Sequence, residues 1–261
     1  MPSIFAYQSS EVDWCESNYQ HWELVAKFYN TFSNVTFFIF GPLMMFLMHP
    51  YVQKRSRYIY VTFILFTVVG LFSMYFPMTL SFLGQMLDEI AILWLLASGH
   101  SIWMPRCYFP AFLGENRPQY ICLVITATVV STFLSFLTPM INAYALNSIA
   151  LHIVAQEYKK TSNKELRRLI EVTMVSWAFA FNSWISDCWL CSFWQWINFS
   201  YLYSIWHVLI SITFPYGIVI MAMVDATYEM PDKTLKVCYW PRDTWPMGLP
   251  YVEISDDNKS C

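Results

Sequence analysis

The side chains best suited to chemistry in this chain sit in four separate pieces: the run Asp13-Trp14-Cys15-Glu16-Ser17-Asn18, Ser73 with Pro77, the pair Asp88-Glu89, and the stretch from Tyr203 to His207. Carboxylates, a hydroxyl and an imidazole are proton carriers and metal ligands, and here they lie at the ends of long apolar runs, where such groups are expensive to keep. Each has a plainer reading. Asp13, Glu16 and Asn18 can be a solvated acidic segment that caps a helix. Asp88 and Glu89 suit the electrostatics of a helix N-terminus, and a lone His207 can simply hydrogen-bond inside a bundle. Ser73, four residues before Pro77, can satisfy a carbonyl that the proline leaves without a donor. What these groups mean depends on whether the fold brings them together.

Composition says what must position them. With 57% hydrophobic and 19% aromatic residues and only 13% charged, the 261 residues exceed the apolar content of a soluble domain. Runs long enough for a hydrocarbon core of about 30 Å extend over Tyr29 to Met48, Tyr58 to Phe76, Leu87 to Met104, Tyr120 to Leu137, Ile141 to Ala155, Leu169 to Ile185 and Tyr201 to Met223. This predicts an all-α membrane protein, a bundle of seven transmembrane helices. Of the fifteen Lys and Arg residues, fourteen fall in one set of loops and in the tail, and only Lys27 falls in the other set. Basic loops mark the cytosolic side, so the N-terminus is expected in the lumen or outside and the C-terminus in the cytosol.

The expected organisation is an N-terminal segment over residues 1–28, a membrane domain over 29–224 and a cytosolic tail over 225–261. The tail is rich in Pro and acidic residues and is expected to hold little secondary structure. The acidic residues among the first 28, with no basic stretch ahead of an apolar one, do not read as a cleaved signal peptide. There are no repeats and no basic patches, so no nucleic-acid partner is expected. A seven-helix receptor or transporter would be a third class of function, but the usual receptor helix-end motifs and paired broken helices are missing.

Taken together the pieces resemble the alkaline ceramidases, a family of seven-helix membrane hydrolases. The resemblance rests on Asp13-Trp14-Cys15-Glu16-Ser17-Asn18, Phe28-Tyr29-Asn30-Thr31-Phe32-Ser33-Asn34, Gly70-Leu71-Phe72-Ser73-Met74-Tyr75-Phe76 followed by Met78-Thr79-Leu80, Leu87-Asp88-Glu89, and Trp206-His207. It implies hydrolysis of the amide of ceramide, a bilayer lipid, to sphingosine and a fatty acid. The family uses a zinc ion held by three histidines, one of them at the position of His207. Such a metal brings the pKa of bound water toward about 7 and polarises the carbonyl. By the same resemblance Ser73 steadies the oxyanion and Asp88 moves the proton from water to the leaving amine. A calcium ion is implied at Asp13, the carbonyl of Trp14, Glu16 and Asn18, oxygen donors that suit a hard cation. Residence in the endoplasmic reticulum membrane is implied too, with the Golgi as the alternative. So is a disulfide from Cys15 to Cys191, although Cys188 forms a Cys-x-x-Cys with Cys191. Asn198-Phe199-Ser200 is an acceptor sequon on the lumenal side.

The chain departs from this pattern at three positions. Pro77 and Tyr203 stand where the family carries two of its zinc histidines, and Lys27 stands where it has a fifth calcium ligand, a glutamate. A catalytic zinc normally has three protein ligands and a water, so a site reduced to His207 is expected to lose the metal. Tyr203 as phenolate, His21, Asp88 and Glu89 are the groups left to replace the missing ligands. The Lys27 ammonium is expected to pair with Asp13, Glu16 or Glu23 and serve as an internal cation; an ordinary exposed pair with Glu23 is the plainer version. Two functions follow: a ceramide amidohydrolase, or an impaired relative that binds ceramide or sphingosine as a regulatory lipid-binding protein.

Overall fold

The computed structural model describes residues 4–135, 154–155, 157–242 and 248–255. The main helices among them are α1 Phe28–Phe32, α2 Val35–Leu47, α3 His49–Arg55, α4 Ile59–Thr79, α5 Phe82–Trp103, α6 Arg117–Ser135, α7 Lys164–Trp189, α8 Cys191–Trp196 and α9 Leu202–Glu229, followed by strands β1 Thr234–Trp240 and β2 Leu249–Ser255. These runs are rich in β-branched and aromatic residues, yet helix is their default in an apolar medium, because it satisfies every backbone N–H and C=O within the segment.

Five stretches among the described residues are long and apolar enough to cross a membrane: Phe28–Leu47, which joins α1 to α2, then α4, α5, Arg117–Leu134 within α6, and α9. The expected span 141–155 lies outside the described residues except for its last two. The expected span Leu169–Ile185 is the middle of α7, a continuous helix of 26 residues, whose Ser, Asn and Trp residues leave it less apolar than the five.

The sharp reversal between α4 and α5 does most to position the site. Leu80 adopts a left-handed conformation, φ 48°, and its N–H bonds the carbonyl of Phe76 at 2.7 Å, which closes α4. Ser81 Oγ then accepts from the Gly84 N–H at 3.0 Å and caps α5. The two helices run back against each other so closely that a Cβ on Gly84 would lie 3.0 Å from Phe76 Cα. At Gly70, where α4 crosses α2, a Cβ would lie 2.4 Å from Phe37 Cβ. The approach at Gly70 excludes any side chain, and at Gly84 a side chain would have to push the two helices apart slightly.

The tail differs from expectation. β1 and β2 form an antiparallel hairpin in which Val237 faces Val252 and Lys236 faces Glu253. The prolines and acidic residues hid an alternation that buries Val237, Leu249 and Val252 in the same cluster as Met48, Tyr51 and Val219. Tyr216 Oη on α9 donates to the Gly248 carbonyl at 2.8 Å and fastens the hairpin to the bundle. The same end holds a buried ion pair. The Arg55 guanidinium binds fully buried Asp225 through Nε to Oδ2 at 2.7 Å and Nη2 to Oδ1 at 2.9 Å. Burial alone would disfavour this carboxylate, but the two parallel bonds satisfy both of its oxygens.

Candidate functional site

Ser73, Asp88 and His207 are all buried, and all three line one cavity of about 440 Å³. Trp14, Gln85, Glu89, Tyr203 and Trp206 complete its polar end, and apolar side chains such as Phe66, Leu95, Phe214 and Ile220 line most of the rest, with Thr62, His100, Thr173 and Thr213 among them. The α4–α5 reversal explains how residues fifteen apart meet. Ser73 is seven residues before Leu80 and Asp88 eight after it, so each lies about 10–12 Å along its own helix from the turn. There Ser73 Oγ donates a short hydrogen bond to Asp88 Oδ1. The helix N-terminus does not account for Asp88, which lies well inside α5, beyond the reach of its first turn.

Pro77 lies within α4 and leaves the carbonyl of Ser73 without its helical donor. Ser73's own hydroxyl does not take that role. Asn34 Nδ2 donates to the Ser73 carbonyl at 2.8 Å and to the Asn30 carbonyl at 2.8 Å, and lies 3.2 Å from His207 Nδ1. Ser33 Oγ is 2.8 Å from the same nitrogen. The imidazole is therefore fixed through Nδ1, and any group in the cavity must be met by Nε2. Ser204 Oγ donates to Asn30 Oδ1 at 2.7 Å, joining α9 to α1. Neither Asn30 nor Asn34 is among the site residues expected from the sequence. The legible signal was Asn30 and Asn34 at i and i+4, two amides on one face of an apolar helix.

The N-terminal segment closes this end. Cys15 and Cys191 form a disulfide, and Cys188 is a free, exposed thiol. The Cys15 N–H donates to Asp187 Oδ2 at 3.0 Å. Trp14 stacks on Tyr203 with ring centres 3.7 Å apart, and Tyr203 meets the His207 ring edge-on at 4.4 Å. Glu16 does something the spacing did not suggest. Its carboxylate accepts from the N–H groups of Tyr29 at 2.7 Å and Asn30 at 2.9 Å, the unpaired donors at the start of α1. Burial pushes the Glu16 pKa up, and these amides and the Lys27 charge pull it back.

Comparison with known proteins places the chain. The Ceramidase family model matches residues 6–253. Over its full length the chain is 77% identical to alkaline ceramidase 1 of Homo sapiens, covering 100% of that protein. It is 70% identical to alkaline ceramidase 1 of Mus musculus, with 100% of this chain and 97% of the relative aligned. Against alkaline ceramidase of Drosophila melanogaster the identity is 35%, over 97% and 90% of the two chains.

The chain belongs to the ceramidase family.

In this ceramidase the donors at the cavity head do not fit a three-histidine zinc. The Pro77 side chain offers no donor atom, and the ring of Tyr203 is packed between Trp14 and His207. His21 is exposed and packs tilted against Phe28 and edge-on to Tyr29, outside the cavity lining. No group of three His, Cys, Asp or Glu with ligand geometry gathers among the described residues. Nor does the N-terminal cradle fit calcium. The Lys27 ammonium lies among the oxygens of Asp13, Trp14 and Glu16, and the Glu16 carboxylate is turned to α1, although Asn18 Oδ1 is buried without a hydrogen-bond partner among the described residues.

The Asn34 clamp can be tested by a double-mutant cycle with Pro77. Asn34→Leu strands the Ser73 carbonyl and should destabilise the protein by about 1–3 kcal/mol. In a Pro77→Ala background the residue 77 N–H can bond that carbonyl, so the same change should cost about 1 kcal/mol less. Thermal unfolding of the four proteins in detergent measures the coupling, and strictly additive losses would contradict the clamp.

Proposed function

We propose that this ceramidase hydrolyses the amide bond of ceramide, with the acyl chain in the apolar depth of the cavity and the amide at its polar head. The family match across residues 6–253 supports the substrate class, and the bonded Ser73–Asp88 pair at the cavity head carries the chemistry. Once Asp88 has taken up a proton from the attacking water, the Ser73 hydroxyl, which donates to that carboxylate at rest, turns its single proton to the developing oxyanion, the kind of contact worth about 10²–10³ in rate. The Asp88 carboxylate takes a proton from water and returns it to the leaving sphingosine amine, general acid–base work worth about 10²–10⁴. His207, held through Nδ1, orients its Nε2 toward the reacting group. No step passes through a metal, because the donors present do not form the family's site; turnover is correspondingly slower than with a full ligand set.

In this reading seven spans cross the membrane of the endoplasmic reticulum. Residues 1–28 close the lumenal end, 29–224 form the bundle and 225–261 lie in the cytosol, in line with the segregation of Lys and Arg.

Two measurements test it. Sphingosine release from ceramide by the purified chain is expected to be measurable but low. Pro77→His with Tyr203→His should raise both zinc content, toward one per chain, and the rate, by about 10- to 100-fold or more. If neither rises, the ligand positions are misplaced; if the unaltered chain binds ceramide and releases no sphingosine, it is a lipid-binding protein instead. The second concerns chain length. Gly99 and Gly217 both line the cavity, and a Cβ on either meets nothing within 4 Å. Gly217 is ten residues beyond His207, about 15 Å deeper along α9. Gly217→Leu should reduce release from long-acyl ceramides several-fold more than from short ones, whereas equal effects would place the acyl chain elsewhere.

A further inference from the structure

Lys27 is the only Lys or Arg in the first 50 residues, and its side chain is almost completely buried, at 1% exposure. A buried ammonium must find partners for all three of its protons. Lys27 finds them within four residues of chain: Asp13 Oδ1 at 2.6 Å, the Trp14 carbonyl at 2.6 Å and the Glu16 carbonyl at short range. One carboxylate and two backbone carbonyls converging on a point charge are the donor chemistry of a hard cation site, and the charge at its centre is covalently attached.

We infer that Lys27 is a built-in cation that holds the N-terminal segment closed over the cavity, so that closure is independent of calcium. The lysine is well placed to act as an anchor. Its N–H donates to the Pro77 carbonyl at 3.1 Å, and its carbonyl accepts from Thr31 N at 3.1 Å and Thr31 Oγ1 at 2.6 Å, so its backbone is fixed to the end of α4 and the start of α1. Its ammonium then fixes the backbone of Trp14, whose ring covers Tyr203 at the head of the cavity. The Cys15–Cys191 disulfide and the hydrogen bonds of the Glu16 carboxylate to α1 also tie the segment, but Lys27 is the group that ties the carbonyls of Trp14 and Glu16 and the carboxylate of Asp13 to one point.

The test compares the purified full chain with Lys27→Met and Lys27→Glu, using calcium chloride and a chelator as the probes. For the unaltered chain, the thermal midpoint and the hydrogen exchange of residues 13–18 should be the same with calcium and with chelator, and calorimetry should show no tight calcium binding. Lys27→Met removes the charge at similar length and should speed exchange of residues 13–18 by about tenfold or more, the loss of at least one charge-assisted hydrogen bond. Lys27→Glu replaces the cation with a further oxygen donor and should make the midpoint and the exchange calcium-dependent. Calcium-dependent protection in the unaltered chain would overturn the inference, a measurement that stands even if a variant fails to fold. Unchanged exchange in Lys27→Met would overturn it equally.

Discussion

The amide of Asn34 is the contact on which the site depends. It stands at the junction of α1 and α2, donates to the backbone of α4 at Ser73 and touches the ring of His207 on α9. A proline inside α4 creates the vacancy it fills. In an apolar interior an orphaned carbonyl costs on the order of 1–3 kcal/mol, so the fold gains by keeping three helices in register around this one side chain. Ser73 is thereby released from backbone duty, and its hydroxyl is spent on Asp88.

The two ends of the bundle solve one electrostatic problem in two ways. At the hairpin end Arg55 reaches Asp225 with a planar fork that matches a carboxylate oxygen for oxygen. At the other end Lys27 spreads a compact charge over a carboxylate and two carbonyls. The first pair fixes α3 against α9 beneath the cavity. The second fixes an irregular segment above it, where no helix could supply the same cover.

Much of this was legible in the residues. Apolar run lengths gave the spans at α1–α2, α4, α5, α6 and α9, because length and hydropathy are local properties. A convergence of Asp13, Ser73, Asp88 and His207 was expected from their common position near span ends; the last three line one cavity, whereas Asp13 is exposed outside its lining. Three features could not be read in advance. The hairpin of β1 and β2 was masked by its prolines, since only packing on α9 reveals which residues alternate inward. The direction of the Glu16 carboxylate depends on the unpaired N–H groups of α1, to which sequence spacing gives no pointer. The partner of Lys27 was narrowed to three acids, and only the fold selects Asp13 over Glu23, because the ammonium is drawn inward by two carbonyls.

The central claim is that the lipid amide sits beside Ser73 and Asp88 with its acyl chain running down between α4, α5 and α9. Photolabelling with a ceramide analogue carrying a diazirine at the end of its acyl chain, followed by peptide mapping, tests this most directly. The account predicts labels on deep lining residues such as Phe66, Leu95, Phe214 and Ile220 that are lost on competition with ceramide. Labels confined to the outer faces, at residues such as Phe46, Ile64 and Phe179, would contradict it.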